Sequence, residues 1–209
     1  MLTLHDFALD DTCYKVRLCL ALLGLPHRLV PVSPVPGDRR HVEALRSLTP
    51  FAVPPVLEDD GAVVSGAEAI LLHLALRAGS DGAWLPQTAP ERAAVLSWLQ
   101  ASATELQPAS RARAASLFEA PYDLAAERAA ARAALCCLDD HLSIQACHGA
   151  PWMVRGAHPT IADIALFPAF ALTLDYGLSH EAFPALRHWA RRLRALPGFI
   201  GMPGIPAFG

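Results

Sequence analysis

The chain has 209 residues, of which 53% are hydrophobic and 18% charged, and a formal net charge of -3. This is ample apolar material for a core and lacks the polar, highly charged signature of a disordered chain. With a pI near 6.3 and scattered arginines there is no basic stripe, so neither nucleic acid nor an anionic membrane is expected as a partner.

The stretch from Met1 to Leu9 has no basic region and no long apolar core, so it does not read as a signal peptide. Arg17 interrupts the apolar run Val16 to Leu25, and no run reaches the ~18 uninterrupted residues of a membrane span. Five cysteines, at 13, 19, 136, 137 and 147, form neither an even framework nor a Cys-x-x-Cys pair. A reduced, cytoplasmic protein is the expectation.

Leu2-Thr3-Leu4-His5 alternates as a first strand would. Asp10-Asp11-Thr12 supplies capping chemistry for a helix from about Cys13 to Leu23, closed by Gly24. Arg28 to Val32 reads as a second strand, and Val42 to Leu48 as a short helix after a loop. Two short strands then flank the acidic turn Glu58-Asp59-Asp60-Gly61, and Ser65-Gly66-Ala67-Glu68 reads as a capping box for a third helix ending near Gly79. Residues 80–89, rich in Gly, Ser, Asp and Pro, are the expected linker between a first domain over 1–79 and a second over 90–209. Beyond it only helical patterns follow: Glu91 to Gln107, Ser110 to Phe118, Leu124 to Leu142, Ile161 to Tyr176 and Pro184 to Leu196. The Gly- and Pro-rich tail from Pro197 reads as an extension, ordered or frayed.

Three motifs carry a resemblance. Leu48 to Leu71, LTPFAVPPVLEDDGAVVSGAEAIL, is similar to the glutathione transferase wording Asn-Pro-x-Gly-x-Val-Pro-x-Leu-x-Asp, then Glu-Ser-x-Ala-Ile. Pro55 takes the place of that family's cis-proline and Ala69-Ile70 that of Ala-Ile, whereas Pro54 stands where Val is usual and Gly66-Ala67 where Glu-Ser is usual. Thr160-Ile161-Ala162-Asp163 resembles the folding box of the family's second domain, and Cys13 to Leu18 its first-helix wording. The resemblance spans nearly the full length. It implies a thioredoxin-like α/β N-terminal domain plus an all-α C-terminal domain, a homodimer, glutathione or another small thiol as cosubstrate, and a small electrophile as its acceptor.

In the family the thiolate sits at the N-terminus of the first helix, where N–H groups and the dipole favour negative charge. Counting back from Arg17, the family serine falls on Asp10 and the cysteine of some bacterial members on Thr12. An ionised Asp10 accepts hydrogen bonds only, and its charge beside a thiolate disfavours the thiolate. Asp10 is therefore either a general base for an incoming thiol or simply the helix cap. Thr12 is the hydroxyl donor or the N-cap. Cys13 is either a reactive thiolate or a small core residue.

On the thiol-ligand side the resemblance points to Pro54, Pro55, Gly66 and Ala67, with Glu68 near them, while Arg39 is either a charge that meets an anionic end of the ligand or part of a solvated loop. Pro54 has no N–H, which removes half of the usual backbone pairing with a cysteinyl group, about 0.5–1.5 kcal/mol of hydrogen bonding. Tyr14, Trp98, Ser102, Glu105 and Arg111 fall where the family places its acceptor pocket, with core or dimer packing the other reading of Trp98. No metal is expected: Cys136 and Cys137 diverge by about 100° on a helix, and with His141, Cys147 and His148 they match no ligand spacing. The functional expectation is a transferase adding a thiol to a small electrophile, the donor being glutathione or another thiol or persulfide. The alternative is a non-catalytic binding or scaffold protein that has lost glutathione binding.

Overall fold

The structure is a computed structural model, and it describes residues 1–32, 39–79 and 83–208, with the side chains of 39–42 outside that description. Four strands, β1 (Leu2–Asp6), β2 (His27–Pro31), β3 (Val56–Asp59) and β4 (Ala62–Ser65), form one sheet in the order β2-β1-β3-β4. β1 runs parallel to β2 and antiparallel to β3, and β3 is antiparallel to β4. β1 is central and buried along nearly its whole length, as a strand covered on both faces must be.

α1 (Asp11–Leu22), α2 (Arg39–Leu48) and α3 (Ala67–Arg77) complete this layer. The other helices are α4 (Ala89–Ala103), α5 (Gln107–Phe118), α6 (Leu124–Cys147), α7 (Ile161–Ala171) and α8 (Pro184–Arg194). The fold class expected from the sequence, a thioredoxin-like α/β layer followed by helices, is what forms. α7 is the central helix. Every one of its residues is buried, and it packs on α1, α3, α4 and α8. The expected box starts it: Thr160 Oγ1 accepts from Ala162 N–H, while Asp163 Oδ2 accepts from Thr160 N–H at 2.8 Å. Asp163 also takes the Met153 N–H at 3.0 Å and the Trp189 indole N–H at 2.8 Å, so its buried carboxyl is fully occupied.

Several boundaries differ from the sequence reading. α3 has no side-chain cap, because Ser65 is paired with Val56 in the sheet and the cap is Gly66, at φ +88°. The helix expected through Gln107 ends at Ala103 and resumes as α5 after a bend at Thr104–Leu106. α7 stops at Ala171 and tightens into a 3-10 turn over Thr173–Tyr176, whereas α6 runs on to Cys147. The linker expectation over 80–89 falls partly outside the described residues, and Ala89 already opens α4.

The tail is docked. Phe208 is 5% exposed and stacks on Phe170 at 5.6 Å, and the Tyr14 hydroxyl donates to the Ile200 carbonyl at 2.7 Å. Gly198, at φ +84°, lets the chain pass over the end of α1, since a Cβ there would meet the Ala21 carbonyl oxygen at 2.8 Å.

Candidate active site

Sheet topology brings three chain segments to one edge. Because β3 is antiparallel to β1, the start of β3 lies beside the end of β1, with His5 opposite Val56. β4 returns antiparallel, so Ser65 also lies opposite Val56. The loop into α1, the pair Pro54-Pro55 and the start of α3 therefore converge. The Pro54–Pro55 bond is cis, and the Gly66 N–H donates to the Pro55 carbonyl at 3.2 Å.

The loop from β1 to α1 is held by two arginines. Arg17 pairs with Asp6 and donates to the carbonyls of Phe7 at 3.2 Å and Ala8 at 2.8 Å. Buried Arg113 of α5 donates to the Leu9 carbonyl at 2.6 Å and to Asp175 at 2.7 Å. Ser110 donates to Asp11 at 2.5 Å. Both layers of the molecule thus fix the same four-residue loop.

Asp10 is the N-cap of α1. Its Oδ1 accepts from the Cys13 N–H at 2.7 Å and from the Thr12 hydroxyl at 2.5 Å. Burial and the neighbouring Asp11 carboxylate raise its pKa above the ordinary 3.8, against the opposing pull of those two bonds. Both bonds fall on Oδ1. The N–H groups of Asp11 and Thr12 lie at the first two helical positions and have no intrahelical acceptor.

The other sequence candidates divide. Cys13 is fully buried, the placement of a small core residue, and burial, then the charge of Asp10, push its thiol pKa up. Thr12 donates to Asp10, so its proton is committed. Tyr14 is not in an acceptor pocket: it is fully buried against Phe167 and bonded to the tail. Ser102 is also closed off, with Oγ accepting from Lys15 Nζ at 2.8 Å and within 3.0 Å of both Glu68 Oε1 and the Ala165 carbonyl.

Glu68 is drawn the same way. Lys15, its side chain only 5% exposed, donates to Glu68 Oε1 at 2.9 Å. Burial opposes ionisation of Glu68, but Lys15 and Ser102 outweigh it and hold the carboxyl below its usual 4.5. Gly66 and Ala67 bring only backbone to the start of α3. Glu105 is fully exposed and bonded to Thr104, while Arg111 pairs with Glu127 at 3.6 Å and lies 5.9 Å from the Tyr122 ring centre. Trp98 faces a separate cleft between α4 and α6. The side chain of Arg39 lies outside the described residues. Among the described residues no group of three or more His, Cys, Asp or Glu is arranged to hold a metal.

Residues the sequence reading passed over lie beside the start of α1. Phe7 and Phe118 have ring centres 6.0 Å apart, and Leu9 and Phe118 are partly exposed. The only sequence signal was two large apolar residues beside a helix start, which any core loop also shows.

Known proteins place this arrangement. Residues 12–77 match the family model described as the N-terminal domain of glutathione S-transferase. A possible glutathione S-transferase of Rhodopseudomonas palustris is 31% identical, with 98% of this chain and 99% of that one covered at a TM-score of 0.82. The chain belongs to the glutathione S-transferase family. Another glutathione S-transferase, from Xanthobacter autotrophicus, superimposes with a TM-score of 0.84 at 28% identity, covering 98% of both chains. The disulfide-bond oxidoreductase YfcG of Escherichia coli is 28% identical over 201 residues, 91% of this chain and 89% of its own. As a glutathione S-transferase family member, the protein departs from the usual wording at Asp10, Pro54 and Gly66-Ala67, all at the convergent edge of the sheet.

Proposed function

We propose that this protein adds a small thiol or persulfide other than glutathione to a small electrophile, with Asp10 as proton acceptor. The observation that carries the reading is the Asp10 carboxyl at the start of α1, its pKa raised and its Oδ1 held by the Thr12 hydroxyl and the Cys13 N–H. A negative charge there disfavours a standing thiolate, so the S–H proton passes to Asp10 as the new C–S bond forms. Asp10 then returns it to the adduct, or to solvent when a group leaves.

The choice of donor follows from the γ-glutamyl side. Pro54 offers no N–H, Gly66 and Ala67 offer no side-chain polar group, and the nearest carboxylate, Glu68, is held by Lys15 and Ser102. Phe7, Leu9 and Phe118 form the apolar wall for the acceptor. A second copy of the chain and a cytoplasmic setting go with this reading; Phe51 and Val53, 84% and 61% exposed, are apolar surface that a second copy would cover.

The test is turnover of an activated aryl halide with a panel of small thiols and persulfides. At least one donor is expected to exceed glutathione, and Asp10→Asn to slow that donor's reaction about 100-fold, within the range for a lost general base. Silence from the whole panel would favour the non-catalytic binding protein and overturn the proposal.

A further inference from the structure

We infer that the helical part carries a second small-molecule site, for a medium-chain carboxylate, in the cavity between the end of α6 and α8. α8 is seated on α6, with the Leu186 N–H donating to Asp139 Oδ1 at 2.8 Å. Beyond that bond the side chains are short: Ser143 and Ala146 of α6, then Ala150, lie around the same space as Ala185 of α8. They leave a cavity of about 350 Å³, a size suited to a small ligand. Leu142 and Pro184 make the rest of the wall apolar.

The charge on this cavity has one sign. His188 and Arg192 stand four residues apart on α8, so they share a face, and both line the cavity. Arg192 reaches across to the loop after α6, its Nη1 lying 3.4 Å from the Pro151 carbonyl. The other arginines of α8 are committed elsewhere. Arg187 pairs with Glu181 at 2.7 Å, Arg191 donates to the Phe208 carbonyl, and Arg194 lies 5.3 and 5.8 Å from the Phe199 and Phe208 ring centres. Arg192 has five N–H donors and spends one, on a long bond. His188 and Ser143 have no hydrogen-bond partner among the described residues, and no carboxylate lines the cavity among them. Asp139, one turn before Ser143, is the acid closest along α6, and its Oδ1 is taken by Leu186.

A cationic edge on an apolar cavity suits one anionic head with a hydrocarbon body. The guanidinium fork takes a carboxylate through two parallel N–H bonds, and the Ser143 hydroxyl and His188 ring add donors beside it. Each methylene removed from water tightens binding about fourfold. A bare inorganic anion leaves the apolar wall unused, and a neutral hydrocarbon leaves the guanidinium unused. No lining residue belongs to α1, the loop before it, α3 or α4, so the inference stands apart from the proposed reaction.

The probe is sodium octanoate, added to the full chain labelled with ¹³C at its alanine methyls. The Ala146 and Ala185 signals are assigned from their loss in Ala146→Leu and Ala185→Ser. The expected result is a saturable shift of both. Octan-1-ol, the same chain without the charge, is expected to bind about tenfold more weakly, and acetate, the charge without the chain, to give no saturable shift. Arg192→Gln, at an exposed position, is expected to weaken octanoate by the same factor of about ten. Ala146→Leu, also at an exposed helix position, fills the cavity and is expected to abolish the Ala185 response. Unmoved Ala146 and Ala185 signals, equal binding of octan-1-ol, indifference to Arg192→Gln, or octanoate binding unchanged in Ala146→Leu would overturn the inference.

Discussion

Asp10 is where residue-level chemistry decides most. Its position before the first helix was legible in the sequence, and so was its capping role. Its raised pKa was not, because burial, the largest cause, comes from tertiary packing around a loop that Arg113 and Ser110 reach from a helix a hundred residues away in sequence. A carboxyl whose folded pKa lies above the unfolded 3.8 contributes stability below that value and loses it as pH rises through the folded pKa. Asp10 therefore lowers stability as pH rises above 3.8. Asp10→Asn keeps the cap and removes the charge. It is expected to melt higher than the parent at pH 7 in calorimetric scans, with the advantage vanishing below about pH 4. A lower melting temperature at pH 7 would mean that the ionised form is favoured, contrary to this account. Cys13 and Tyr14 show the converse limit. α1 is buried over most of its circumference, so periodicity could not tell which of its residues face a ligand.

At the scale of elements, the strands and most helices were legible from alternation, caps and Gly or Pro punctuation. The box at Thr160–Asp163 marked the start of α7. The box expected at Ser65–Glu68 failed because strand pairing holds Ser65 in β4, and Glu68 was then free to turn toward Lys15. That pairing, shared with Ser102, ties α1, α3 and α4 together and could not be read from residues so far apart in sequence. Breaking one side of a buried pair leaves an uncompensated charge, whereas replacing both sides with apolar groups is far milder. Lys15→Met is expected to destabilise by roughly 3 kcal/mol in denaturant unfolding, and Lys15→Met with Glu68→Leu to recover most of it. If the double variant were as unstable as the single one, the pair would not be the link between these helices.

For the whole molecule, the resemblance was legible across both layers because its motifs are mostly structural: a cis-proline turn, a folding box and a helix start. They fix how the chain folds and leave the chemistry to the few positions where the wording departs. Topology gathers those departures at one edge of the sheet, with Asp10 at the start of α1, Pro54 before the cis bond, and Gly66-Ala67 before α3. The convergence makes one prediction about the protein as a whole: the edge still takes a thiol, but not the γ-glutamyl arm. The most direct measurement is a calorimetric titration of the purified chain with glutathione. The account predicts no saturable binding tighter than about 1 mM, a free energy weaker than roughly -4 kcal/mol. Saturable binding in the micromolar range would contradict it and make this a conventional glutathione site.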